Sequence, residues 1–228
     1  SAMVSVENLK DETMLNGNFG YFEDTSYCYY GETDNRVIGY DIVSNDKLLV
    51  LKDNSDKENQ INNAIEKTKN KYPDYQFQRL VESQNLWKES NIAKCNAIFA
   101  GDGSLNRQNV ISCVNDEWNK RLKIVKLDIK KVKAHKKTSF DFNSDEVMQL
   151  DAQINELATK FINKVPQLEL SEATQKDKQQ NYQYSLDKWK RFASNYCKFN
   201  GSGISCLTTL LKAKILSMQK DNELLVAE

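Results

Sequence analysis

The chain has 228 residues, with 32 Lys and Arg against 32 Asp and Glu, one His, five Cys, eight Gly and two Pro. A formal net charge of zero gives no global field to drive binding to nucleic acid or an anionic membrane, and no run approaches the roughly 20 apolar residues that span a bilayer. The length admits one large domain or two small ones, and a Lys/Glu/Asn/Gln-rich chain this poor in Gly and Pro favours long helices in a soluble, mainly α protein.

Ser1-Ala2-Met3 reads as the remnant of a cleaved tag and is set aside from fold reasoning. Residues 4–55 form a distinct N-terminal segment with an aromatic cluster (Phe19, Tyr21, Phe22, Tyr27, Tyr29, Tyr30). Within it, Val37–Val43 and Lys47–Asp53 flank Ser44-Asn45-Asp46, which predicts a small β-hairpin that must pack on something larger to persist. From 56 the pattern turns helical. A first helix is expected over 56–72, stopped near Tyr72 because Pro73 disfavours helical backbone in the residue before it. A second, over about 76–99, carries Phe77, Leu80, Gln84, Trp87, Asn91, Cys95 and Ile98 on one stripe, and Gly101-Asp102-Gly103-Ser104 reads as a turn. A third, over about 106–133, places Ile111, Val114, Trp118, Leu122, Val125, Ile129 and Val132 on one face at steps of three and four. Residues 134–143 are polar linker, after which Ser144-Asp145-Glu146 starts another helix with Val147, Leu150, Ile154, Leu157 and Phe161 as its seam. Two more follow, about 172–198 with Tyr182, Trp189, Phe192 and Tyr196, and about 204–222 with Ile204, Leu207, Leu211 and Met218.

These helices repeat. Gln60-Ile61-Asn62, Asn70-Lys71, Pro73, Trp87, Cys95, Cys113 and Arg121-Leu122 are matched by Gln153-Ile154-Asn155, Asn163-Lys164, Pro166, Trp189, Cys197, Cys206 and Lys214-Ile215. The step from Gln to Pro is 13 in both copies, from Trp to Cys 8, and from second Cys to base 8. The copies differ in connections, where loop-closure entropy tolerates length change best. The expected plan is therefore two tandem three-helix modules, 56–133 and 144–222, behind the hairpin extension.

Cys95 and Cys113 flank one Gly-containing turn, Cys197 and Cys206 the other, and neither pair has C-x-x-C spacing. With the sole histidine, His135, far off in sequence, a zinc site is not expected, and neither is another cofactor. Matching buried thiols are one reading. A disulfide closing each helical hairpin fits better and implies the periplasm or cell exterior, with an export signal already removed. Closing the 18-residue step would contribute about 3 kcal/mol on the loop-entropy model. Cys28 has no counterpart and is either a free thiol or an odd partner. Each Trp, two turns before a Cys on an inward stripe, is expected beside its disulfide. Arg121 and Lys214 either pair with a neighbouring helix or line a binding surface, the first being favoured.

Leu80, Gln84, Trp87, Cys95, Gly103-Ser104, Cys113, Arg121 and Leu122 in copy one, with Trp189, Cys197, Cys206-Leu207, Thr209, Lys214 and Ile215 in copy two, form a pattern that resembles the bacterial envelope family of lysozyme-inhibitor LprI-like domains. Leu150–Leu157 is similar to that family's Asp-x-x-Leu-Asn helix. The resemblance covers about 56–130 and 144–222. It implies a periplasmic, non-enzymatic binding protein that inhibits a cell-wall-degrading enzyme or, like an immunity protein, a secreted toxin, by occluding its active site. A non-inhibitory envelope adaptor is the other expectation. The partner is a protein; the pattern implies no binding residues and no oligomeric state.

The remaining signals are weaker. Lys120, Arg121, Lys123, Lys126, Lys130, Lys131, Lys133, Lys136 and Lys137 make a basic run against Asp128 alone, which reads as a contact for an acidic partner or anionic envelope polymer or, preferably, as a solvated face partly balanced by Asp141, Asp145, Glu146 and Asp151. Without aromatic interleaving it does not point to nucleic acid. No nucleophile elbow, phosphate-cradling loop or His-Glu-x-x-His helix is present, so no enzyme is expected.

Overall fold

The computed structural model describes residues 56–101, 104–137 and 139–225, and these are mainly helical. Two compact units divide the chain, Ser1–Asn59 and Gln60–Glu228. The β-hairpin expected in 4–55 lies outside the described residues. Both copies of the repeated motif belong to the second unit.

Six helices are named: α1 (Asn45–Glu66), α2 (Asp74–Phe99), α3 (Ser104–Lys131), α4 (Asp145–Lys164), α5 (Glu172–Asn200) and α6 (Gly203–Leu224). The second unit takes in α1 from Gln60 onward. α1 ends six residues before the expected stop at Tyr72. The reason is local. Both the backbone N–H and the hydroxyl of Thr68 donate to the Ile65 carbonyl, at 2.8 and 2.6 Å, closing the helix with a tight turn. Tyr72 is then free to bury its ring and donate toward the Ile129 and Val132 carbonyls, 3.2 Å from each, at the C-terminal end of α3. Pro73 starts α2 at φ −56°, and Asp74 adds negative charge to the first turn.

The other boundaries follow side-chain chemistry already visible in the sequence. Ser144 caps α4 by accepting from the Val147 N–H at 3.2 Å, and Ser171 caps α5 by accepting from the Thr174 N–H at 3.3 Å. A 3-10 turn at Val165–Gln167, holding Pro166, separates these two helices. α5 stops at Gly201, whose φ of 71° suits glycine, and a Cβ there would lie 3.1 Å from the His135 ring. Cys95 is joined to Cys113 and Cys197 to Cys206, so each disulfide ties a Trp-bearing helix to the next one.

The modules interlock. α2 and α5 run antiparallel side by side, since Gln76 meets Phe199, Arg79 meets Asn195, Ser90 meets Ser185 and Lys178 meets Ile98. One apolar cluster gathers Ile61, Leu80, Trp87, Trp118 and Val125 of the first module with Phe192 and Phe199 from α5. The other gathers Ile154, Phe161, Leu211 and Met218 of the second module with Ala97 and Ile98 from α2. Each long helix thus finishes in its neighbour's core. Burying a side chain such as Phe161 or Phe199 stabilises by about 1.5–3 kcal/mol, so the exchange is a substantial part of the packing. The expected α3 seam is inward: Trp118 and Val125 are buried, and Val114, Leu122, Ile129 and Val132 pack against the same cluster.

Two polar side chains complete the exchange. Gln76, fully buried, donates to the Lys133 and Phe199 carbonyls at 3.0 Å each and accepts from the His135 N–H at 3.2 Å. Lys178, at the matching position in module two, donates to the Ile98 and Ala100 carbonyls at 3.0 and 2.6 Å. Both sit eleven residues before their motif Trp and satisfy terminal carbonyls of the opposite long helix. The Lys178 ammonium loses water there, which lowers its pKa to about 8.

Candidate functional site

The residues singled out by the repeat meet in the interior. Arg121 is 3% exposed. Its guanidinium carbon lies 5.4 Å from the Trp87 ring, 5.2 Å from Phe192 and 5.8 Å from Tyr196, and its Nε donates to Gln84 Oε1 at 3.0 Å. Trp87 meets Trp118 edge-on, with centroids 5.1 Å apart. In module two the ammonium of Lys214, also buried, lies 5.2 Å from the Trp189 ring. A cation over an aromatic face in a dry site is stabilised more than in water, but it still needs a counter-charge.

That counter-charge is an aspartate, Asp128 in module one and Asp221 in module two. Asp128 Oδ2 accepts from the Tyr196 hydroxyl at 2.7 Å, and Asp221 pairs with Lys94 at 3.2 Å. Tyr196 and Lys94 hold matching positions on α5 and α2, each one residue before the motif Cys. Each acid therefore takes a group from the other module's long helix. The signal was present: both aspartates stand fifteen residues past the second Cys of their copy.

Burial governs the electrostatics. It raises the Asp128 carboxyl, with Tyr196 and Arg121 pulling the other way, and raises Asp221, with Lys94 and Lys214 opposing. It pushes the Tyr196 phenol up to about 12, assisted by Asp128. Arg121 falls to about 10 through burial. Lys214 falls to about 8, through burial first and the nearby Lys94 charge second. The motif bases are thus interior groups, and a partner would meet other residues.

A second arrangement is open to solvent. Where the 134–143 linker crosses the start of α2 and the end of α5, a groove of about 360 Å³ is lined by Tyr75, Arg79, Glu82, Lys137, Phe140 and Lys198, with Gln78, His135 and Ser139. Arg79 Nη1 reaches Glu82 at 3.2 Å and Asn195 Oδ1 at 2.6 Å. His135 ties the linker down, its Nε2 lying 3.0 Å from the Phe199 carbonyl. Phe140 and Phe142 stack, and Lys198 lies 5.8 Å from the Phe142 ring. The groove offers cations, hydrogen-bond donors and two aromatic walls, which is binding chemistry. It was not legible in the sequence, because its three walls come from segments up to 123 residues apart.

Among the described residues no cluster of His, Cys, Asp and Glu is placed to hold a metal ion, and no helix is long and apolar enough to cross a membrane. Comparison of the chain with protein-family models, with curated proteins and with solved structures gives no match.

Proposed function

We propose that this protein is a non-enzymatic binding protein of the periplasm or cell exterior that inhibits a cell-wall-degrading enzyme or secreted toxin by occluding its active site. The reading rests on the resemblance to lysozyme-inhibitor LprI-like domains. One observation carries it: Trp87 with Arg121 and Trp189 with Lys214 recur as the same cation–aromatic pair, on helices that the Cys95–Cys113 and Cys197–Cys206 bonds tie together. Two disulfides suit an oxidising compartment. Helices tied in this way lose little conformational freedom on association, which favours rigid occlusion of a cleft.

The test is a panel of muramidases, peptidoglycan amidases and secreted toxins, each assayed with the oxidised protein at micromolar excess. Dose-dependent loss of one activity is expected. Unchanged rates across the panel would remove the reading.

A further inference from the structure

We infer that the groove between α2, the linker and the end of α5 receives a carboxylate-bearing loop of a partner protein, so that the target presents an acidic surface. The inference rests on the binding-protein reading above and narrows it to a partner chemistry.

Charge is the first argument. Among the described residues Glu82 is the one acid lining the groove, and Arg79 already engages it at 3.2 Å. Lys137 and Lys198 also line the groove, and among the described lining residues no acid is left for them. From 118 to 140 the chain has a single acid, Asp128, and that carboxylate turns inward to Tyr196. Lys130, Lys131, Lys133, Lys136 and Lys137, all exposed, therefore lead from α3 to the groove with no local acid facing outward among them. Residues 60–228, which contain the groove, hold 27 basic and 20 acidic groups. Such an excess steers an acidic partner toward the groove.

Shape is the second. About 360 Å³ accommodates one or two side chains rather than a folded element, and Tyr75 and Phe140 supply apolar walls for their methylene stems. The floor is preorganised, because Gln76 and His135 pin the linker to the end of α5. A lipid surface fits less well. None of the large exposed hydrophobic residues among those described (Ile92, Ile124, Leu127, Met148, Tyr184, Leu216, Leu224) lines the groove, so no wedge stands beside the lysines to enter a bilayer.

The test uses the oxidised full chain, isotope-labelled for amide NMR, titrated with a capped Glu/Gly hexapeptide, its Gln/Gly counterpart, and phosphatidylglycerol vesicles. The acidic peptide is expected to shift the amides of His135, Ser139, Phe140 and Lys198, to bind at least about tenfold more weakly to the Lys137→Glu/Lys198→Glu variant, and to weaken with salt. A Lys137→Gln/Lys198→Gln variant, which adds no repulsion, is expected in between. Equal binding by wild type and both variants, shifts spread over every exposed lysine, or vesicle binding without peptide binding would each overturn the inference. The enzyme panel separates the two readings. Full inhibition by the Lys→Glu variant removes the groove as the target contact, whereas groove binding with no enzyme inhibited removes the inhibitor and leaves the acidic-ligand site.

Discussion

The two modules place a cation over a tryptophan at the same position and solve its burial differently. In module one Arg121 spreads a planar charge over Trp87, Phe192 and Tyr196, and the nearby Asp128 is held by a neutral phenol. In module two Lys214 has one ring, Trp189, and Asp221 is shared with a second ammonium, Lys94. Guanidinium is weakly hydrated and resists deprotonation, so it tolerates the interior; an ammonium yields its proton. The same architectural slot therefore stays charged to about pH 10 in one module and titrates near pH 8 in the other. Position in the repeat decides which groups meet, while the residue type decides the chemistry.

The largest break in this comparison is steric. Trp87, 8% exposed and seated on Trp118, is expected to cost about 4 kcal/mol when changed to Ala, whereas half-buried Trp189 costs about half that, as read by denaturant unfolding. Next come the disulfides. Replacing Cys95 and Cys113 by Ser is expected to cost about 3 kcal/mol and replacing Cys197 and Cys206 about 2.5, because the closed loops separate residues 18 and 9 apart. The gap is small, so equal losses would still fit; a larger loss from the second pair would reverse the comparison.

How much of this could be read beforehand depends on whether a feature is local. The α3 seam, the Ser144 cap and the paired cysteines follow from periodicity, capping chemistry and spacing, each decided within a few turns. α1 ends before the stop that Pro73 predicts, because the Thr68 N–H and hydroxyl both close on the Ile65 carbonyl. Asp128 and Asp221 were readable, since their spacing repeats as faithfully as that of the cysteines, but an acid in a basic run reads as surface until its helix face is known. Gln76, Lys178 and the groove depend on α2 and α5 lying antiparallel, and no pattern within one helix reports which helix lies against it.

The buried acids sharpen the comparison further. Asp221→Asn removes the carboxylate that Lys94 and Lys214 share and leaves Glu117 as the remaining acid acting on Lys214, with an expected loss of about 3 kcal/mol. Asp128→Asn keeps a hydrogen-bond acceptor for Tyr196 and is expected to cost about 1–2 kcal/mol. Unfolding of the two variants at neutral pH measures both. A similar loss in each would mean that the second ammonium adds nothing.

The smallest effect is a slope. Lys214 and Lys178 release their protons near pH 8 in the folded chain, against an ordinary value of 10.5. Between those values the unfolded state holds protons that the folded state has lost, so raising pH favours folding. Stability is expected to rise from about pH 8 toward 10.5, and Lys214→Met to flatten part of that rise. Loss of stability across the same window, once other titrations are matched in the variant, would show that Lys214 is solvated.

The central claim is that the chain carries two disulfide-tied copies of one helical motif, and the proposed function rests on it. Proteolysis of the unreduced, alkylated protein followed by mass spectrometry tests it most directly. The expected result is one bridged peptide pair holding Cys95 with Cys113 and another holding Cys197 with Cys206, with none of the four alkylated. Alkylation at all four, or a bridge running between the modules, would contradict it.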